Sequence, residues 1–215
     1  MTSRPRRSAL YMPASNAKAI EKARSLPCDV VILDLEDAVA PEAKAQARAQ
    51  AVAALHAGGF GDKELVVRVN GLDSPWGTDD LDALLAAPVA PAAILVPKVA
   101  RRADLAPYEA RLAARPAVRL WAMIETAASI FAAEGIAAAA ADGALAAFVV
   151  GTNDLAKEAG FRFGAERLPL QGALGLIVLA ARAHGLVVLD GVFNALDDHD
   201  GLAAQCAQGV AFGFD

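Results

Sequence analysis

The chemistry most legible in this 215-residue chain is carried by acids placed where short apolar runs end. The run Leu33-Asp34-Leu35-Glu36-Asp37-Ala38 gathers three carboxylates. Strand alternation points Asp34 and Glu36 to one side and leaves Asp37 at the rim. Acids so placed can orient a metal-bound water or accept a proton, or they can cap the helix that follows. Glu125 closes the run Met-Ile-Glu-Thr, and Asp154 follows Val-Gly-Thr-Asn-Asp-Leu. If the two runs are adjacent parallel strands, the roughly 4.8 Å strand spacing brings these carboxylates within about one ion's diameter. With no His or Cys beside them they are hard oxygen ligands, suited to octahedral Mg2+ or Mn2+ with water and substrate oxygens filling the other positions. The competing reading is a pair of helix caps or ion-paired acids. Arg68 lies inside Leu-Val-Val-Arg-Val-Asn-Gly. A charge in an apolar strand is costly unless paired, so its fork is expected to hold an anion, either a carboxylate of the substrate or a salt-bridge partner such as Glu36 or Glu125. Lys18 and Lys44 stand early in expected helices, where they either reach a cofactor phosphate or remain surface lysines.

These residues need a scaffold, and the rest of the chain supplies the pattern for one. Strands are expected at 8–12, 30–35, 65–69, 93–97, 120–124, 147–150 and 186–189. They are rich in Val, Ile and Leu with little polar alternation, as in parallel strands covered on both faces. Helices are expected at 16–26, 41–56, 78–87, 104–115, 127–140, 199–212 and from Leu168 to a stop at Gly185. Pro41 suits a first helical position, and Gly58-Gly59 suits an end. Polar groups follow nearly every strand: Asn16, Glu36, Asp37, Asn70, Lys98, Glu125, Asp154, Asp190 and Asn194. An open doubly wound sheet concentrates such groups at one switch point, whereas a TIM (β/α)8 barrel collects them all at one mouth. The pattern therefore predicts an α/β TIM-barrel fold, a single domain over residues 1–215. The eighth strand needed for closure has no counterpart before Gly213-Phe214-Asp215, so the expectation is a chain that is C-terminally incomplete.

Composition removes several function classes. Net charge is modestly negative and there is no long basic run, which argues against nucleic acid as a partner. The longest nearly apolar run, 135–150, is interrupted by Asp142 and falls short of a membrane span. The three arginines near the N-terminus precede too few apolar residues for a signal peptide, so a cytoplasmic location is expected. Cys28 and Cys206 fit no metal spacing and are expected to be reduced and buried. His56, His184 and His199 lie away from the strand-end acids and receive no catalytic role.

In order and spacing these segments resemble the HpcH/HpaI aldolase–citrate lyase family, in its citrate lyase β-subunit-like branch. The resemblance is carried by Arg7-Ser8-Ala9-Leu10-Tyr11-Met12-Pro13, the Leu-Glu-Asp-Ala run at Leu35–Ala38 with Pro41 and Lys44, and Arg68-Val69-Asn70. It continues through Val96-Pro97-Lys98-Val99, Ile124-Glu125-Thr126, Gly151-Thr152-Asn153-Asp154-Leu155, Asp190-Gly191-Val192-Phe193 and the final Gly-Phe-Asp. It implies a Mg2+-dependent carbon–carbon lyase that cleaves or forms a 3-hydroxyacyl-CoA thioester such as citryl-, malyl- or citramalyl-CoA. It also implies a homo-oligomer, trimeric or hexameric, and an eighth strand and C-terminal lid beyond Gly-Phe-Asp. By position, Glu125 and Asp154 match the metal ligands, Arg68 the substrate-binding arginine, and Glu36 and Asp37 acids beside the metal. The resulting assignment takes Arg68, Glu36 and Asp37 as catalytic, Arg68 and Glu125 as substrate-contacting, and Glu125 and Asp154 as metal-holding. Two rivals remain open: a class II aldolase acting on free hydroxy-oxo-acids, and a catalytically silent barrel subunit.

Overall fold

The computed structural model describes residues 4–162, 164 and 166–215. The chain divides into two compact units, one reaching Pro97 and including Ala110–Leu120, the other made of Lys98–Glu109 and Trp121–Asp215.

The first unit alternates β1 (Ala9–Pro13), α1 (Ala17–Ser25), β2 (Val30–Asp34), α2 (Lys44–Ala57), β3 (Glu64–Arg68), α3 (Gly77–Ala86) and β4 (Ala93–Val96). Its strands pair in parallel, β1 with β2, β2 with β3 and β3 with β4. All five residues of β2 are buried, so the run Val-Val-Ile-Leu has no solvent face, and β-branched side chains fit such a doubly covered strand. Asn16 starts α1 by accepting the Ala19 amide on its side chain. Pro41 opens a 3-10 turn that leads into α2, and Gly58 ends that helix at φ +61°, a conformation glycine adopts without steric cost. The register sets Asp34 directly opposite Arg68.

The chain passes between the units at Pro97–Lys98, within α4 (Ala106–Leu112) and within β5 (Arg119–Ile124). The second unit continues with α5 (Ala127–Phe131), α6 (Ala133–Ala137), α7 (Ala139–Asp142), β6 (Leu145–Val150), α8 (Thr152–Ala159), α9 (Gln171–Ala183), β7 (Val187–Leu189) and α10 (His199–Phe212). β6 and β7 pair in parallel.

The strands follow one another in the sheet in chain order, β1 to β7. No reversal of order creates a switch point, which a doubly wound sheet requires. The architecture is that of the β/α-barrel class, with seven strands among the described residues, as the sequence pattern predicts. Strand boundaries agree with expectation to within two residues. The single helix expected at 127–140 is instead three short helices, because the amide of Ala132 is shared between Ala128 O and Ile130 O and that of Ala138 between Glu134 O and Ile136 O. Residues 152–159, assigned no element from sequence, form α8. The cysteines also depart from expectation: both are free, but Cys28 is half-buried and Cys206 exposed on α10. Among the described residues no helix is long and apolar enough to cross a membrane.

Candidate active site

In the first unit, the ends of β2 and β3 build a buried ion cluster around Arg68. Its Nε and Nη2 donate to Asp34 Oδ1 and Oδ2 at 2.7 and 2.5 Å, a bidentate pair. Its Nη1 lies 3.1 Å from Glu36 Oε2 and 3.9 Å from Asp37 Oδ2. Asp34, Glu36 and Arg68 are buried, whereas the Asp37 side chain is 52% exposed. Burial opposes the charge on Arg68, but the hydrogen bonds and charge of Asp34, with Glu36 adding to them, more than offset it and hold the guanidinium above its ordinary value. The Tyr11 ring lies 5.4 Å from the guanidinium carbon. Asp34 also accepts the backbone amides of Glu36 at 2.9 Å and Ala38 at 3.1 Å. It thereby bends the chain after β2 and sets the direction of the Glu36-Asp37 pair.

Beneath this cluster Lys44 secures the two strand ends. Its ammonium donates to Leu35 O, Glu36 O and Asn70 Oδ1 at 2.7–2.8 Å and lies over the Trp76 ring. The Asn70 side chain passes the connection on to Leu35 O and to Asp80, whose other oxygen holds Arg48. Burial pushes the Lys44 ammonium below the ordinary lysine range, against the pull of Asp34, Glu36, Asp80 and Asp37. Lys44 is thus neither a surface lysine nor a phosphate ligand. It replaces with side-chain bonds what the irregular chain after β2 lacks in ladder bonds.

In the second unit, Glu125 follows the last residue of β5 and is fully buried. Its Oε1 accepts the Lys98 amide at 2.7 Å. Gly151, just past β6, presses against it, and a β-carbon there would overlap Cβ and Oε2 of Glu125. Asp154 sits in the first turn of α8, where a carboxylate complements the helix dipole. It does not cap that helix, whose N-cap is Gly151 without a side-chain bond. Lys98, Glu125, Thr126, Asp154, Lys157 and Glu158 line one cavity of about 380 Å3. Two of the predicted residues, Glu125 and Asp154, therefore meet at the same cavity. Among the described residues no three His, Cys, Asp or Glu side chains converge as a metal cage. Two hard carboxylates on one cavity, one of them fully buried, fit a magnesium ion that keeps several water or substrate ligands.

The remaining strand-end groups have other employment. Asp190 forms a bidentate pair with the buried Arg167, whose Nε holds Gln208. Asn153 and Asn194 exchange amide bonds. Asp37 is not the N-cap of the turn that leads to α2, which starts at Ala40 without a side-chain bond. Sequence reasoning offered Arg68 the partners Glu36 and Glu125 and passed over Asp34, its main one. The signal was present, since Asp34 and Arg68 end neighbouring strands. Lys98 and Gly151 were also missed as supports of Glu125.

The acids and the arginine at the strand ends lie where enzymes of the β/α-barrel class keep their active sites. Residues 7–215 match the profile of the HpcH/HpaI aldolase/citrate lyase family, and the chain belongs to that family. It is 50% identical over 211 residues to a (3S)-malyl-CoA thioesterase of Cereibacter sphaeroides, covering 98% of this chain and 71% of that protein. An L-malyl-CoA/beta-methylmalyl-CoA lyase of the same organism is 35% identical over 236 residues, 98% of this chain and 73% of that one. The citrate lyase β subunit of M. tuberculosis, solved with oxaloacetate and magnesium, superposes with a TM-score of 0.81 at 30% identity, over 96% of this chain and 87% of that chain. The M. tuberculosis protein CitE, solved with magnesium, acetoacetate and coenzyme A, gives a TM-score of 0.79 at 31% identity, over 96% and 73%.

Proposed function

We propose that this chain is a Mg2+-dependent enzyme acting on a small 3-hydroxyacyl-CoA thioester of the malyl-CoA type, with residues 1–215 as its catalytic domain. The observation that carries the reading is the pair Glu125 and Asp154 on one cavity, in a family whose solved members hold magnesium together with oxo acids or coenzyme A. Glu125 and Asp154 would hold the ion, which when bound supplies Lewis-acid polarisation of substrate oxygens. Arg68 would bind anionic charge, with its Nε and Nη2 on Asp34 and its Nη1 toward Glu36 and Asp37. Glu36, buried and 3.1 Å from that nitrogen, acts as a support. Asp37 is the carboxylate of the cluster with solvent access, and so the better placed to take the hydroxyl proton. Loss of that proton lets the carbon–carbon bond break to a 2-oxo acid and a thioester enolate, whose charge Arg68 stabilises.

A second reading, hydrolysis of the same thioester, is favoured by one observation: the relatives at half identity are thioesterases by name. The two reactions leave different products. Purified chain with Mg2+ and malyl-CoA yields glyoxylate and acetyl-CoA if it is a lyase, and malate with free CoA thiol if it is a hydrolase. Neither product, with metal present, would remove the substrate assignment. Turnover unaffected by a chelator would remove the metal.

A further inference from the structure

We propose that Asp80 is a positioning residue for the proton acceptor: from the first turn of α3 it fixes, through Asn70 and Lys44, the turn on which Asp37 stands. The inference deepens the proposed function and rests on its reading of Asp37 as the group that takes the hydroxyl proton. Asp80 is 0% exposed, and the N-cap of α3 is Trp76, which makes no side-chain bond. The bonds of the carboxylate lead out of the helix. Its Oδ1 accepts Arg48 Nε at 2.8 Å, and its Oδ2 accepts the Asn70 amide at 3.1 Å and Asn70 Nδ2 at 2.6 Å. A charge taken out of water is costly, and apolar side chains of similar volume often replace buried ion pairs without loss of stability. An acid at this place is therefore explained by what it holds.

The order of donors and acceptors gives the link a direction. Asn70 Nδ2 faces two acceptors, Asp80 Oδ2 and Leu35 O, which turns Asn70 Oδ1 toward Lys44. The Lys44 ammonium has three hydrogens and meets three oxygens: Asn70 Oδ1 at 2.7 Å and the carbonyls of Leu35 and Glu36 at 2.8 Å. Glu36 O accepts a second bond, from the Val39 amide at 2.9 Å, and that bond closes the four-residue turn 36–39. Asp37 is the second residue of this turn, so its place follows from where Glu36 O is held. Asp80, Asn70, Lys44 and Val39 are all buried, whereas the Asp37 side chain is half exposed. Arg48, on α2, holds the other Asp80 oxygen and reaches Asp79 at 3.5 Å, away from the path to the turn. If Asp80 served only to hold α3 against its surroundings, Arg48 and Asn70 would be equivalent partners. If it positions Asp37, only Asn70 matters to the reaction.

The test pairs amide hydrogen exchange with kinetics on the full chain. Asp80→Ala removes both links. Asn70→Ala cuts the side-chain link toward Lys44, leaves Asp80 with Arg48, and takes the place of Asp80→Ala should that variant not fold. Arg48→Met removes the support on the far side. By NMR, protection of the Val39 amide relative to the amides of β2 is expected to fall about tenfold in both alanine variants, the worth of about one hydrogen bond, and less than about threefold in Arg48→Met. With malyl-CoA and Mg2+, kcat should fall about 10- to 100-fold in the alanine variants, with KM within about threefold. Added to Asp37→Asn, Asp80→Ala should lower kcat by less than about threefold more, because it acts through the group already lost. Unchanged Val39 protection in the alanine variants, an equal loss in Arg48→Met, or an independent loss of kcat on top of Asp37→Asn each overturns the inference. Parental kcat in Asp37→Asn refutes the reading of Asp37, and the inference falls with it. Loss of activity in Asp37→Asn with parental kcat in the alanine variants refutes Asp80 and not Asp37. A parent without turnover refutes the reaction, and Val39 exchange alone then decides whether Asp80 holds the turn.

Discussion

Replacing Asp34 with asparagine tests whether the buried ion cluster holds the strand ends as described. Asp34 is 1% exposed and accepts four hydrogen bonds, two from Arg68 and one each from the Glu36 and Ala38 amides. Asparagine keeps one acceptor oxygen and turns the other into an NH2 group. With the oxygen in the Oδ1 place, the new donor faces Arg68 Nη2 and the Ala38 amide, both donors. One charge-assisted bond, about 1.5–3 kcal/mol, and one neutral bond, about 1 kcal/mol, are then lost. Removing one member of a buried ion pair generally costs about 3–5 kcal/mol. Glu36 at 3.1 Å still compensates part of the guanidinium charge, so a loss of about 3 kcal/mol is expected. With a urea m-value of about 3 kcal/mol/M the midpoint falls by about 1 M, and the melting temperature falls by about 6–12 °C. Glu36→Gln, which removes a charge 3.1 Å from Arg68 Nη1 while Asp34 keeps its bidentate bond, should lose only about 1 kcal/mol. Urea unfolding followed by circular dichroism measures both. An Asp34→Asn midpoint within error of the parent, or a larger loss in Glu36→Gln, would refute the description of Asp34 as the main anchor of Arg68.

Arg68→Lys keeps the charge but cannot span both Asp34 oxygens, so kcat/KM on the substrate should fall about 100- to 1000-fold with the fold retained; near-parental kinetics would take Arg68 out of the reaction. Glu125→Gln and Asp154→Asn should each abolish calorimetrically detectable Mg2+ binding at concentrations that saturate the parent, and retention of binding in either moves the metal elsewhere. The hydrogen bonds of Arg7 hold the Asp29 carboxyl down to about 2. Because the folded value is depressed, this pair stabilises the fold above the ordinary carboxylate range and loses that contribution as pH falls toward 2. Asp29→Asn should therefore flatten the acid limb of the pH–stability curve between pH 4 and 2, and an unchanged limb would show the pair to be without consequence there.

The strand-end acids were readable because they rest on two periodicities that sequence displays directly. Apolar runs such as Val-Val-Ile-Leu mark doubly covered strands, and a polar residue that ends one must lie near its C-terminal edge. That reasoning located Glu36, Arg68, Glu125 and Asp154, and chain-order pairing of the sheet follows from the regular alternation. The three short helices at 127–142 were not readable, because an alanine-rich stretch carries a strong helical preference and no marker for where its hydrogen bonds shift from one acceptor to another. Lys44 was misjudged for a related reason. Its partners are two backbone carbonyls and Asn70, and carbonyls that miss ladder bonds leave no trace in residue type.

The support of Glu125 illustrates this limit most clearly. A carboxylate that is to hold a metal must be fixed, and side-chain patterns invite a search for an arginine, a lysine or a hydroxyl to fix it. Here one donor is the amide of Lys98, brought to bear by a left-handed turn, and the backstop is the missing β-carbon of Gly151. An amide is present at every residue except proline, so its use is invisible until the backbone is placed. It also does not change protonation state, and it carries only a partial charge. It can therefore orient Glu125 at any pH at which the fold persists. Glu125 is thus oriented by backbone geometry from two sides, an amide in the turn after β4 and the close approach that Gly151 permits after β6, and this support would hold whatever side chain that turn carried.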